Sequence, residues 1–152
     1  MRILLKFFLL VALAVWLGGI IFFTAVEAPS ILNLVADRRL GGAIISQSLW
    51  KLHWVGLACG LVYLVASLWL AQLTEAAAKA WRPSHLLALL MIGFTLVSQR
   101  AVLPAITLLR VAAPTPAVQA QFQRLHTWSV GLEGATLLCG LILLFLTARR
   151  LN

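Results

Sequence analysis

Four long apolar stretches constrain the fold of this chain more than any other feature of its sequence. They run over residues 3–26, 49–73, 86–109 and 127–148. Each reaches the ~20 residues that an α-helix needs to cross the ~30 Å hydrocarbon core of a bilayer. An open sheet would leave backbone N–H and C=O groups unpaired in lipid, so these segments are predicted to be helices. The sequence therefore predicts an all-α membrane protein with four transmembrane helices.

The composition supports this prediction and argues against a nucleic-acid partner. Hydrophobic residues make up 62% of the chain and charged residues 11%, whereas a soluble domain carries about 25% charged residues. The net charge of +8 comes from basic residues that flank the apolar stretches, which is typical of loops beside a bilayer. The lipid bilayer is therefore the expected partner, and nucleic acid is not. A length of 152 residues predicts a single domain over residues 1–152.

The connections between the stretches predict how the helices are arranged. Short connections favour an antiparallel, up-down bundle. The first connection is longer, and its apolar residues predict a short interfacial helix after the first span: Ile31, Leu32, Leu34 and Val35. Gly41 and Gly42 are predicted to end that helix. Thr115 is placed as an N-cap and Pro116 as the first helical residue, so the fourth helix is predicted to begin there.

Basic residues at the two ends of the predicted bundle bear on its orientation. The end with both termini carries six of them: Arg2, Lys6, Lys79, Arg82, Arg149 and Arg150. The other end carries five: Arg38, Arg39, Lys51, Arg110 and Arg124. The excess beside the termini favours cytoplasmic termini, in a protein of the cell (inner) membrane.

Six polar side chains within or beside the spans indicate where a site would lie. An ionised side chain at the centre of a helix costs roughly 2.5–3.5 kcal/mol on insertion scales, so such residues mark a functional or structural site. In an up-down bundle all six fall in the half of the bilayer opposite the termini. We call them the polar cluster: Glu27, His53, Gln99, Arg100, His126 and Glu133.

Arg100 and Glu133 are predicted to form an ion pair. Arg100 lies ten residues before Arg110, and Glu133 lies nine residues after Arg124. At 1.5 Å per residue both would lie about 13–15 Å below the headgroups. Pairing would remove an uncompensated buried charge. The alternative to a functional site is a structural pair that only sets the register of two helices.

His53 and His126 are the candidate ligands for a cofactor. Paired imidazoles on different helices can ligate haem iron or a divalent metal. However, both histidines lie near the predicted interface beside tryptophans, and no metal-binding HxxxH or ExxH pattern is present. The sequence therefore assigns no metal site and no cofactor, with haem or a divalent metal at these two histidines as the alternative.

Two further patterns predict how the helices pack. Pro29 precedes His53 by 24 residues and Pro104 precedes His126 by 22, which suggests two related hairpins about an axis along the membrane normal. Gly-rich helix faces, such as Gly56-x3-Gly60, permit close helix approach and could also form a homo-oligomer. The two cysteines, Cys59 and Cys139, lie at different predicted depths and are expected to be free.

Several short groups of residues resemble one known family. They are Val15-Trp16-Leu17-Gly18-Gly19 with Glu27-Ala28-Pro29, then Leu52-His53-Trp54 with Gly56, then Arg100 with Pro104, and finally Phe122, Arg124, Leu125, His126 and Ser129. With these residues the chain resembles the transmembrane protein 205-like family, which includes many bacterial proteins with a domain of unknown function. The resemblance implies a four-helix membrane protein without a settled activity.

Three hypotheses of function follow from the sequence. The first is a non-enzymatic membrane protein that binds a small cation, a metal or a proton at the polar cluster. The second is a haem-binding redox protein with two histidine ligands, and the third is a purely structural or assembly subunit. The sequence contains no Walker loop, nucleophile elbow or redox CxxC pair, so an enzymatic role is not favoured.

Overall fold

The structure, a computed structural model, describes residues 1–73, 83–113 and 115–151. Four helices in these residues are long and apolar enough to cross a membrane, and no strand occurs among them. They are α1 (Arg2–Leu34), α2 (Arg38–Gln72), α3 (Pro83–Val111) and α4 (Pro116–Leu151). The predicted all-α membrane fold with four spans is therefore confirmed. The sequence predicts a short polar connection at residues 74–84; residues 74–82, with Lys79 and Arg82, lie outside the described residues, and Pro83 and Ser84 begin α3.

The beginnings of α2 and α4 are set by capping side chains. The Asp37 carboxylate accepts a hydrogen bond from the backbone N–H of Arg39 at 2.8 Å, and Thr115 Oγ1 accepts one from the N–H of Val118 at 3.3 Å. Each bond satisfies a backbone donor that has no partner inside its helix. The predicted start of the fourth helix at Pro116 is thus confirmed, and both helices extend well beyond the apolar stretches that define the spans.

The segment after the first span differs from the prediction in its bounds. Residues Ala28–Leu34 are helical, but they continue α1 instead of forming a separate helix. The chain leaves the helix at Val35, which is extended, and Asp37 then caps α2. Gly41 and Gly42 consequently lie inside α2 and end no helix.

Two wide turns interrupt the odd-numbered helices at corresponding places. Residues Phe23–Glu27 in α1 and Ser98–Val102 in α3 form π-helical turns, in which an N–H bonds to the carbonyl five residues back. Each turn begins six residues before a proline, Pro29 or Pro104. Proline lacks the N–H and its ring collides with the carbonyl four residues earlier. A π-turn is one way to accommodate such an interruption without ending the helix.

The four helices pack as an up-down square. Each helix contacts its neighbours in sequence, and α4 closes against α1. The main apolar core lies in the half of the bundle that holds both ends of the chain, and its fully buried members come from all four helices: Leu13, Tyr63, Met91 and Leu143. The polar residues described below lie beyond this core, towards the other half.

The two hairpins are related by internal repetition. Buried positions in α2 recur in α4 80 residues later: Leu49, His53, Gly56, Gly60 and Tyr63 against Ser129, Glu133, Thr136, Gly140 and Leu143. Buried positions in α1 recur in α3 75 residues later: Leu13, Trp16 and Ile20 against Ala88, Met91 and Thr95. The π-turns obey the same offset. This repeat places His53 opposite Glu133, whereas the sequence comparison had paired it with His126.

Two glycines at which helices approach closely show the internal repeat in the packing as well. A Cβ on Gly60 would lie 2.8 Å from atoms of both Trp16 and Ile92, and a Cβ on Gly140 would lie 2.2 Å from Leu17 and 2.9 Å from Met91. These contacts are equivalent in the two hairpins. Gly60 corresponds to Gly140, Trp16 corresponds to Met91, and Leu17 corresponds to Ile92. The Gly56–Gly60 face is accordingly occupied inside the chain, by the Trp16 indole.

Four spans place the two ends of the chain on one side of the membrane. We expect reporter fusions after Arg150 and within residues 74–82 to report the same compartment, because two spans, α3 and α4, lie between these positions. The measurement is the ratio of a periplasm-active to a cytoplasm-active reporter at the two positions. Reports from opposite compartments would mean that one of the two helices α3 and α4 does not cross the bilayer.

Candidate functional site

Three members of the polar cluster meet inside the bundle. His53 Nε2 lies 2.5 Å from Glu133 Oε1, and its Nδ1 lies 2.8 Å from the side-chain amide of Gln99. All three side chains are buried; His53 is 3% exposed. We call this group the His–Glu–Gln site. It joins α2, α3 and α4, and its His53–Glu133 contact crosses the bundle between two helices that are not neighbours in the square.

Two tryptophans on α2 fix the orientation of the Gln99 amide. Trp50 Nε1 and Trp54 Nε1 lie 2.8 Å and 3.2 Å from the Gln99 carbonyl oxygen when that oxygen faces them. An indole N–H can only donate, so the carbonyl oxygen of Gln99 must face the tryptophans. The amide nitrogen then faces His53 Nδ1 and donates to it at 2.8 Å.

The orientation of Gln99 determines the tautomer of His53. Because Nδ1 accepts from the Gln99 amide, it carries no proton in this arrangement, and the proton of a neutral ring must lie on Nε2. Nε2–H then donates to the Glu133 carboxyl group at 2.5 Å. A directed chain of hydrogen bonds therefore runs from the two indoles through Gln99 and His53 to Glu133.

The site lies deep within the helices. His53 is close to the midpoint of the 35-residue α2, and Glu133 is close to the midpoint of the 36-residue α4. On the side of the termini, the next buried turn of α2 is Gly56, which packs against Trp16. Beyond it the main apolar core packs between the helices.

The predicted ion pair between Arg100 and Glu133 is not formed. Within the described residues Glu133 pairs with His53, and Arg100 is exposed. Gln99 and Arg100 are consecutive in the π-turn of α3, so their side chains point in different directions around the helix. Only one of the two can face the interior, and it is Gln99. The inferred depth was correct for Gln99 and Glu133, but depth alone could not decide whether Gln99 or Arg100 faces Glu133.

His126 and Glu27 do not join the His–Glu–Gln site. His126 is exposed and stacks on Phe122 of its own helix, with ring centroids 6.3 Å apart and planes at 5°. It lies two turns, about 10 Å, before Glu133 along α4, in a part of the helix whose side chains are mostly exposed. Glu27 is half-buried in the first π-turn and makes no hydrogen bond or ion pair with a described residue. The expected shared cavity of His53 and His126 is therefore not present.

Sequence reasoning missed three residues that belong to the site or border it. Trp50 and Trp54 were interpreted as interfacial belt residues, yet their N–H groups bond to Gln99 while their rings stay about half exposed. Their spacing of four around His53 was the available signal, since residues four apart share a helix face. Ser98, in the same π-turn as Gln99, is 1% exposed and its hydroxyl has no hydrogen-bond partner among the described residues.

The arrangement of ligating groups bears on what the site can bind. Among the described residues, no group of three or more His, Cys, Asp or Glu side chains is placed to hold a metal ion. Cys59 and Cys139 are free, as expected from the sequence. Both ring nitrogens of His53 are engaged, so ligation of iron or another metal through either would displace Gln99 or Glu133.

Comparison with known proteins assigns the chain to a family. The family model described as "Domain of unknown function (DUF4149)" matches residues 11–115, more than two thirds of the chain. The chain belongs to this family. Neither a curated protein nor a solved structure matches it. The DUF4149 match covers His53 and Gln99 and ends before Glu133.

Proposed function

We propose that this DUF4149 membrane protein binds a proton at the His–Glu–Gln site. The observation that carries the proposal is the 2.5 Å contact between His53 Nε2 and Glu133 Oε1, buried near the midpoints of two membrane-spanning helices. Ionisable side chains inside a membrane bundle are rare and commonly lie on ion or proton pathways. Imidazole and carboxyl groups are also the usual proton carriers in such proteins.

The orientation of Gln99 identifies which group takes the proton. Protonating His53 at Nδ1 would place its N–H against the Gln99 amide nitrogen, and turning the amide would break two bonds from Trp50 and Trp54. Protonating Glu133 breaks none of these bonds, because His53 can still donate to a carboxyl oxygen. We therefore infer that the site has two charge states, differing by one proton on the Glu133 carboxyl group, with His53 neutral in both.

The other hypotheses have less support from the geometry. A metal or a haem would need ligands that the described residues do not bring together around His53. A structural role remains the second candidate, because each side chain from the two indoles to Glu133 has a hydrogen-bond partner, as in networks that fix helix register. A structural site of this kind would stay in one charge state at every pH at which the protein remains folded.

Infrared difference spectroscopy during a pH titration distinguishes the two candidates. We expect reconstituted protein to show a protonated-carboxyl carbonyl band that appears as the pH is lowered. That band should be absent in Glu133→Gln, which keeps the oxygen that accepts from His53. The chain has only four Asp and Glu residues, so the assignment is practicable.

Two controls accompany that measurement. Glu27→Gln removes the other membrane glutamate, which lies outside the site, and should leave the band unchanged. Histidine labelled with ¹⁵N should show His53 as the neutral Nε2–H tautomer throughout the titration, and Gln99→Leu should remove this preference. A band that persists in Glu133→Gln, or one that never appears, would exclude proton binding at Glu133 and leave the structural role.

Several finer assignments belong with this proposal. We propose kinship with transmembrane protein 205-like proteins on the residue groups given above. We propose that the termini face the cytoplasm from the cell (inner) membrane, as favoured by the excess of basic residues at their end. The bilayer is the proposed partner. Homo-oligomers would have to form through glycines on open faces, such as Gly18 and Gly131, since Gly56 and Gly60 are occupied within the chain.

A further inference from the structure

A second polar feature lies at the end of the bundle opposite the termini. A cavity of about 450 Å³ opens where α2 begins, α3 ends and α4 begins. Its polar lining consists of two arginines and two glutamines: Arg39, Arg110, Gln119 and Gln123. No acidic side chain lies among the described residues that line it. The cavity therefore offers two positive charges and further hydrogen-bond donors. The Asp37 carboxylate bonds to the backbone N–H of Arg39 and does not line the cavity.

The Arg110 guanidinium is held in place by α2. Its Nη2 donates to Ser46 Oγ at 3.0 Å, and the guanidinium lies over Gly42, where a Cβ would come within 3.2–3.3 Å of its Nε, Cζ and Nη2 atoms. The absence of a side chain at Gly42 is what lets the guanidinium lie flat against the helix. Only one of its five N–H groups is used by Ser46, so others can donate to a ligand.

The first turn of α4 adds to the positive potential of this cavity. Pro116, Val118 and Gln119 line it, and they belong to the N-terminal turn of a 36-residue helix. The N-terminus of a helix favours anions, because its dipole is positive there and its first N–H groups have no partner within the helix. None of these three residues offers a free backbone N–H: Pro116 has none, Val118 donates to Thr115 Oγ1, and Gln119 donates to the Thr115 carbonyl oxygen. The turn therefore contributes to the cavity through its dipole. Two guanidinium groups and a helix N-terminus thus meet at one cavity.

The apolar part of the lining indicates where an anionic ligand would come from. Leu109, Val118 and Phe122 line the cavity, and the neighbouring Leu108 and Val111 are 70% and 80% exposed at the end of a membrane-spanning helix. A site with charged donors on one side and apolar side chains on the other matches a phosphate group attached to acyl chains. A freely diffusing phosphate would not use the apolar side.

We propose that this cavity binds the phosphate group of an anionic phospholipid headgroup. Arg39 and Arg110 contact the phosphate, and arginine is well suited to this because its planar fork matches phosphate oxygens. The acyl chains leave the cavity along Leu109 and Phe122 into the bilayer. This interaction is separate from the His–Glu–Gln site and does not depend on proton binding there.

Native mass spectrometry of the detergent-solubilised full chain with added lipid tests the proposal. We expect phosphatidylglycerol to be retained in preference to phosphatidylcholine. Arg39→Gln and Arg110→Gln should each weaken its binding roughly tenfold, the loss expected for one charge-assisted hydrogen bond. Gly42→Leu should weaken it similarly, because the new side chain displaces the Arg110 guanidinium while both arginines remain.

Matched variants separate this site from general attraction of basic residues to lipid. Arg38→Gln and Arg124→Gln remove the same charge at exposed positions next to lining residues but outside the cavity, and they should retain lipid as the unmodified protein does. Arg110→Lys, which keeps the charge, provides a mild substitution if Arg110→Gln folds poorly, and it should bind with intermediate strength. Equal loss in Arg38→Gln and Arg124→Gln, or equal retention of phosphatidylcholine, would overturn the proposal. Displacement of the lipid by inorganic phosphate would instead assign the cavity to soluble phosphate.

Discussion

Replacing His53 with leucine is expected to destabilise the protein strongly, by about 3–5 kcal/mol if the cost follows other buried pairs that lose one partner. The substitution leaves the buried Glu133 carboxyl group without the Nε2–H donor that now lies 2.5 Å away. Glu133→Leu should be similarly costly, because it leaves the buried Nε2–H of His53 without an acceptor. The measurement is the free energy of unfolding in detergent, for each single variant and for the double variant.

The double variant gives the more specific result. Leucine at both positions removes the donor and the acceptor together, so its cost should fall below the sum of the single costs by about 0.5–3 kcal/mol. Coupling energies in membrane bundles are about 0.6 kcal/mol on average, so a coupling near the lower end of this range still indicates an interaction. Strict additivity would show that His53 and Glu133 do not interact in the membrane.

Two control pairs define what additivity looks like in this protein. Arg100→Gln with Glu133→Leu should be additive, because Arg100 is exposed and makes no ion pair with Glu133. Thr147→Val with His53→Leu should also be additive. Thr147 bonds to Tyr63 at 2.8 Å in the half of the bundle that holds the termini, well beyond the distance over which substitutions couple.

The four spans and their up-down order could be predicted from the sequence, but the two residues of the buried pair could not. Apolar length alone decides whether a helix crosses a bilayer, so the spans followed from counting residues. The side chains that meet depend on rotation of each helix about its axis, and a shift of one residue turns a side chain by about 100°. That rotation separates Gln99, which is buried, from Arg100, which is exposed.

The π-turns explain why helical periodicity could not have corrected the choice between Gln99 and Arg100. A π-turn adds a residue to one turn of helix, so the sequence spacing before Ser98 does not continue unchanged after Val102. A prediction that treats α3 as one regular helix therefore places residues on the two sides of the turn in the wrong relative direction. Pro104 was visible in the sequence as an interruption, but its effect could be a kink, a break or a π-turn, and only the structure distinguishes these.

The internal repeat was detected from its prolines and then placed in the wrong register at its histidines. Pro29 and Pro104 do correspond, since each follows the start of a π-turn by six residues. His53 corresponds to Glu133, because buried residues follow each other at intervals of four, three and four in both helices, and His53 and Glu133 are the second in their series. Identity of residue type is therefore a weak guide to correspondence between the two hairpins. Residues that meet across the axis can form a hydrogen bond when one donates and the other accepts, as His53 and Glu133 do.

Gly56→Ala is expected to destabilise the protein by about 1–3 kcal/mol, the usual cost of overpacking a close-packed interior. A Cβ at this position would lie 2.4 Å from Nε1 and 2.9 Å from Cε2 of Trp16. The indole is rigid and only 2% exposed, so it cannot move aside as the tip of an aliphatic chain could. The destabilisation should appear even though alanine is favoured over glycine inside a helix by about 1 kcal/mol. Unfolding in detergent measures the change.

Gly131→Ala is the matched control, and its effect should have the opposite sign. Gly131 is exposed on α4, and a Cβ there would meet nothing within 4 Å, so the substitution gains helix propensity without a steric penalty. Trp16→Leu then tests the cause at Gly56: removing the indole should make Gly56→Ala far less costly than it is with Trp16 present, because the two substitutions act on one contact. If Gly56→Ala is equally costly in both backgrounds, the indole does not pack against Gly56 and the helices α1 and α2 meet in a different rotation.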